Sequence, residues 1–124
     1  MVTEPRCGPY FCGIDAAMDV VSGKWKSLIL WELEQNGPRR FGVLRRALTG
    51  VSEKVLIQQL RELEADGIVH REVYREVPPR VEYSLTPIGY ELNAALIPLG
   101  VWGTRRMERI GADRVPHMDT DAAA

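Results

Sequence analysis

The chain has 124 residues but only two cysteines, two histidines and no apolar run longer than four residues. Each shortage closes a class of explanation. The run Leu28 to Trp31 falls far short of the ~20 apolar residues that span a bilayer, so no membrane helix is expected. Cys7 and Cys12 are too few to staple a secreted scaffold, and no second cysteine pair or histidine pair completes a zinc site, so neither metal nor cofactor is expected. No apolar segment of the kind that signals secretion precedes Asp15, which makes the cytoplasm the expected compartment. His70 and His117 stand far apart with no acid–base constellation around either and read as ordinary surface histidines. The chain also lacks a glycine-rich phosphate loop, a nucleophile elbow and paired carboxylates with a cleft to hold them, so it is not expected to be an enzyme.

What is present suits one folded domain, with 45% hydrophobic and 27% charged residues. The net charge of −1 points to no partner, but its distribution does. From Gly37 to Gly50 the chain carries Arg39, Arg40, Arg45 and Arg46 and no acid. Such a patch suits phosphate contact, or else a solvated basic face.

Apolar residues at 14, 17, 18 and 21 predict a first helix over Ile14 to Val21. Trp25, Leu28, Ile29, Leu30, Trp31 and Leu33 make the next segment, Lys24 to Gln35, apolar around most of its circumference, as a central buried helix would be. A short helix is predicted over Phe41 to Leu48. A further helix follows from the N-cap Ser52 to about Asp66, with Gly67 as its stop. Ile68 to Val77 and Val81 to Leu85 then form a two-stranded ribbon with Pro78-Pro79 at its tip. Thr86-Pro87 opens a C-terminal helix that Pro98 and Gly100 are expected to kink or split. The expected fold class is α+β, mainly α: a winged helix-turn-helix with a two-stranded wing and a C-terminal dimerisation helix. Residues 1–12 are expected to form a flexible arm carrying the cysteines, residues 13–110 the winged-helix domain and residues 111–124 a frayed tail.

On the helix that starts at Ser52, Leu56, Leu60 and Leu63 face the core, and Lys54, Gln58 and Arg61 occupy the opposite side. Lys and Arg donate to guanine O6 and N7, and Gln pairs with adenine N6 and N7. Gln59 flanks this row, Ser52 places helix N-terminal donors where a phosphate fits, and Glu62 shares the outer face. Any exposed amphipathic helix also carries such residues on its wet side. The arginine patch with Arg45 and Arg46 and the ribbon with Arg75 and Arg80 near its tip shift the balance toward double-stranded DNA, with the wing on backbone or minor groove. An interaction module that binds no DNA is the alternative, and a thiol-redox protein using Cys7 and Cys12 is a weaker one.

Several stretches carry a resemblance. They are Gly23-Lys24-Trp25-Lys26 before Leu28-Ile29-Leu30, Arg40 to Arg46, Val51 to Leu56 with Gln59 to Gly67, and Pro78 to Gly89, completed by Leu99 with Trp102-Gly103. From about Cys12 to Arg106 the chain resembles the HxlR-type winged-helix transcriptional regulators, a group related to the MarR regulators. The resemblance implies a homodimer built through the first and last helices and bound to an inverted-repeat operator. It also implies one winged domain per chain and no catalytic activity.

Cys12 lies eleven residues before Gly23, the position of the family's N-terminal cysteine, but Gly13 stands where that family usually has proline. In several members this cysteine senses oxidants or electrophiles, and the resemblance extends that role to Cys12. At a helix N-terminus the dipole favours the thiolate, Asp15 opposes it, and an inert thiol is the other reading. Cys7 offers a nearby resolving thiol across Gly8-Pro9 or an intersubunit partner, or else is a plain terminal cysteine. Trp25, Trp31, Tyr90 and Trp102 either line a pocket for a small aromatic effector between the dimer helices or fill a core or interface.

Overall fold

Twelve buried apolar side chains, spread from Ile29 to Leu85, form one core in the computed structural model, which describes residues 7–115. Residues 1–6 and 116–124, and His117 with them, lie outside the described residues. Five helices and three short strands surround that core in the order α1 (Gly13–Val21), α2 (Lys26–Asn36), β1 (Arg39–Arg40), α3 (Phe41–Ala47), α4 (Glu53–Ala65), β2 (Val69–Tyr74), β3 (Arg80–Leu85) and α5 (Pro87–Ile110). The fold is mainly helical, a winged helix-turn-helix of the expected kind.

Helix α2 supplies Ile29, Leu30 and Leu33, α3 supplies Leu44, and α4 supplies Leu56, Leu60 and Leu63, all almost fully buried. The i, i+4, i+7 spacing on α4 puts its three leucines on one side, and burial of each stabilises the fold by about 1.5–3 kcal/mol. Ser52 caps α4 as expected, its hydroxyl accepting the Val55 N–H at 3.1 Å. The helix ends at Ala65 ahead of Gly67.

The structure corrects three expectations. The wing has a third strand: β1 pairs antiparallel with β3, Arg39 opposite Tyr83 and Arg40 opposite Glu82, giving the sheet order β1-β3-β2. Two residues carry no strand periodicity, and β1 exists only because its backbone groups find partners on β3. Helix α5 runs unbroken through Pro98 for 24 residues. Proline removes one N–H that would bond the Ala94 carbonyl, but both residues are exposed in this chain, so the carbonyl is not sealed in the core without a partner. Helix α2 starts two residues later than expected and is not buried all round. Leu28 and Trp31 are 41% and 50% exposed, while Lys26 and Glu32 are buried.

The base of α5 is fastened to the turn between α4 and β2. The Thr86 hydroxyl donates to the Gly67 carbonyl at 2.6 Å and accepts the Gly89 N–H at 3.0 Å, and the Thr86 N–H donates to the Ile68 carbonyl at 3.1 Å. Beyond this base Asn93 is buried and Leu92 and Leu96 pack half-buried against the core, while most of the rest of α5 is exposed. The Asn93 amide donates to Glu34 on α2. Ile97, Leu99, Val101 and Trp102 are each about half exposed, as are parts of α1, where Ile14 is 71% exposed.

The described part of the N-terminal arm lies along α1. The Tyr10 hydroxyl donates to Asp19 at 2.7 Å, and the Phe11 N–H donates to the Asp15 carboxylate at 3.0 Å. Cys12 is the N-cap residue of α1, and its carbonyl accepts the Ala16 N–H at 3.1 Å.

Candidate nucleic-acid interface

Helices α3 and α4 are joined by a short turn whose apolar members, Leu48 and Val51, are buried. Gly50 bends that turn with φ of 97°, a left-handed conformation that glycine adopts without penalty. Arg45 and Arg46 are exposed on the last turn of α3, where the helix dipole favours cations. Arg45 lies 3.8 Å from Glu53 at the start of α4, a surface pair that contributes little.

Along α4 the side opposite the leucines is open. Lys54, Gln58 and Arg61 are exposed in one row, as the spacing predicted. Gln58 is oriented by an N–H donated to Glu62 at 2.7 Å. Glu62 departs from expectation: it is 22% exposed and faces α2, its other oxygen 2.5 Å from the Lys26 ammonium, which is 3% exposed. A carboxylate read as sharing the outer face is thereby drawn inward and balanced.

Two expected contact residues are engaged elsewhere. Gln59 is half-buried, and its amide oxygen, buried without a hydrogen-bond partner, lies toward Gly23 in the α1–α2 turn. Arg80 stacks on Tyr74 with its guanidinium 3.9 Å from the ring centre and lies 3.4 Å from both Glu76 and Glu82. Its Nε meets Glu82 at ion-pair distance without the alignment of a hydrogen bond. Arg80 thus stiffens the wing instead of extending from it. Arg75 is exposed beside the tip, where Val77 is fully exposed ahead of Pro78-Pro79. Ser52 lies at the exposed start of α4, its hydroxyl occupied by the cap.

Lys24 also borders this face, a placement that its position in the chain does not reveal. Its ammonium sits 4.7 Å from the Trp25 ring centre, and the far edge of that indole lies 3.9 Å from where a Gly50 β-carbon would stand. The exposed Lys24 therefore belongs beside the turn that leads into α4. The stretch Gly23-Lys24-Trp25-Lys26 was visible as a motif, but only the fold brings it to this edge.

Residues 20–111 match the HxlR-like helix-turn-helix family. The chain belongs to that family. A relative named as the HTH-type transcriptional regulator YkvN of Bacillus subtilis is 47% identical over 94 residues, covering 76% of this chain and 79% of YkvN. A solved structure described as a transcriptional regulator of the MarR family from Enterococcus faecalis V583 is 48% identical with a TM-score of 0.70, covering 79% of this chain and 88% of that one. The redox regulator HypR in its reduced form superposes with a TM-score of 0.75 at 41% identity over 81% of this chain and 98% of its own.

In this HxlR-type chain both cysteines are exposed and no disulfide joins them. Cys12 stands at the α1 N-terminus, and the nearby Asp15 carboxylate is occupied by the Phe11 N–H. A cleft of about 520 Å³ lies between the arm and α1, lined by Gly8, Pro9, Tyr10, Asp15, Met18, Asp19 and Ser22. None of Trp25, Trp31, Tyr90 and Trp102 borders it. Trp25 stands by the helix-turn-helix turn, and Trp31, Tyr90 and Trp102 are each 45–56% exposed on α2 and α5. Among the described residues no helix is long and apolar enough to cross a membrane.

Proposed function

We propose that this HxlR-family regulator is a homodimer that binds an inverted-repeat DNA operator, reading bases with the outer face of α4. The observation that carries the reading is the exposed row Lys54, Gln58 and Arg61, diametrically opposed to the leucines that anchor the helix. Arg45 and Arg46 flank it on α3, and Lys24 extends the cationic edge past the turn. In this reading Arg61 and Gln58 meet base edges, while Lys24, Lys54, Arg45, Arg46 and the Ser52 end of α4 meet phosphates. Arg75 at the wing tip reaches the adjoining backbone or minor groove.

The dimer is proposed through α1 and α5. Support comes from the half-exposed Ile97, Leu99, Val101 and Trp102 on α5 and from Ile14 on α1, apolar surface that a monomer would leave in water. Two-fold pairing sets two α4 helices against half-sites about one helical turn apart.

Thiol chemistry at Cys12, with Cys7 as the resolving thiol, is the proposed input. Its exposure at the α1 N-terminus and the likeness to a redox regulator favour it. A small aromatic effector has less support, since none of Trp25, Trp31, Tyr90 and Trp102 lines the cleft between the arm and α1.

The test is selection of duplexes from a random pool with reduced and with diamide-treated protein. An enriched inverted repeat whose recovery changes on oxidation is expected. Salt-insensitive behaviour with no enrichment in either state overturns the reading in favour of an interaction module.

A further inference from the structure

The carboxylate of Glu62 joins two side chains from opposite surroundings. One oxygen lies 2.5 Å from the buried ammonium of Lys26, and the other accepts an N–H from Gln58 on the open face of α4 at 2.7 Å. We propose that Glu62, held by Lys26, is a specificity-determining positioning residue: it fixes which end of the Gln58 amide faces DNA and so makes Gln58 select adenine. This rests on the assignment of α4 as the reading helix.

The two ends of a glutamine amide have nearly the same shape and opposite chemistry, an acceptor oxygen and a two-hydrogen donor. A glutamine free on a wet helix face turns either end outward. With its NH2 group forward it suits the two acceptors of guanine, O6 and N7. With oxygen and one N–H side by side it suits the donor N6 and acceptor N7 of adenine. Glu62 removes the ambiguity. As the ion-pair partner of Lys26 it is an anion, and an anionic carboxylate only accepts. If Gln58 flipped, its oxygen would face a carboxylate oxygen with no proton between them. The amide nitrogen therefore stays on Glu62, and one oxygen with one hydrogen remains for DNA. Against guanine that arrangement sets two acceptors face to face.

Lys26 makes the restraint durable. Its ammonium is 3% exposed, and a buried charge that loses its partner is strongly destabilising, so Glu62 does not swing outward. The same pairing explains how an acid sits in the reading helix without repelling phosphate.

The test is equilibrium binding of the full chain to its selected duplex and to a set with each base pair exchanged in turn. Gln58→Ala identifies the base pair that this side chain reads. The wild type is expected to prefer adenine over guanine there by on the order of tenfold. In Glu62→Gln the new amide keeps its oxygen on Lys26 and donates to the Gln58 oxygen, turning the Gln58 NH2 group outward. The adenine-to-guanine ratio is expected to fall about tenfold, with preferences at other base pairs kept. Because that variant leaves the Lys26 charge unbalanced, the double variant Lys26→Met/Glu62→Met supplies a neutral site of similar volume and is also expected to lose the preference. A folded variant of either kind with the wild-type ratio overturns the proposal, as does a loss spread equally over all duplexes. Specific wild-type binding in which Gln58 reads no base pair overturns it while the DNA-binding reading stands. A wild type that binds no duplex overturns both.

Discussion

A β-carbon at Gly89 would stand 2.2 Å from the carbonyl oxygen of Ile68. The first turn of α5 is pressed onto the backbone that leads into β2, and only glycine allows that approach. Gly89→Ala is expected to destabilise the domain by about 3 kcal/mol, since backbone does not yield as a flexible side chain would. Urea denaturation of the two proteins measures the difference, and an unchanged midpoint would mean that α5 seats differently.

On the proposed interface, Arg61→Ala is expected to cost about 1–3 kcal/mol on the selected operator and to relax preference at one base pair. Titrations against single-base-pair variants separate this from a uniform loss, which would place Arg61 on phosphate alone.

Lys24→Ala is expected to weaken binding to all duplexes alike and to lower the slope of log affinity against log salt by about 1. Arg80→Ala should leave that slope unchanged, because Glu76 and Glu82 already balance its charge within the wing. Affinities measured across a salt series distinguish the two.

For the dimer, Leu99→Glu with Trp102→Glu places charge on the exposed apolar stripe of α5. Monomers in sedimentation and a loss of operator affinity of about a hundredfold are expected, because the second half-site no longer benefits from tethering. A dimer that survives both changes would be joined elsewhere.

Cys12→Ser is expected to keep operator affinity and abolish the response to diamide, read by a mobility-shift assay. A response that persists would move the sensor to another group, Cys7 first.

Helix α4, proposed above to read DNA, was legible as an amphipathic helix because its periodicity is carried by single residues: Leu56, Leu60 and Leu63 point one way and Lys54, Gln58 and Arg61 the other. The caps Ser52 and Thr86 were equally plain, since capping depends on a hydroxyl and its next few neighbours. What escaped depends on contacts between segments distant in the chain. Charge spacing alone placed Glu62 on the wet face, and nothing local reveals that the start of α2 brings Lys26 against it. In the sequence Arg80 stands as a free wing arginine, because strand alternation alone does not show that Glu82, two residues on, is its partner. β1 is too short for periodicity, and Pro98 lies on an exposed stretch of α5, where the Ala94 carbonyl that it leaves unbonded is not buried.

At ~1.5 Å per residue the 24 residues of α5 extend for ~36 Å, about the separation of successive major-groove faces on one side of B-DNA. Its near end is riveted to the α4–β2 turn by Thr86 and Gly89, and its far end carries the surface proposed for pairing. In such an arrangement α5 acts as a lever. A few degrees of change in the angle at which two copies cross would be magnified along its length, and the reading heads would part or close by several ångströms. Under the proposed dimer and thiol input, a chemical event at the arm beside α1 need not touch DNA to end recognition; it need only tilt the rod.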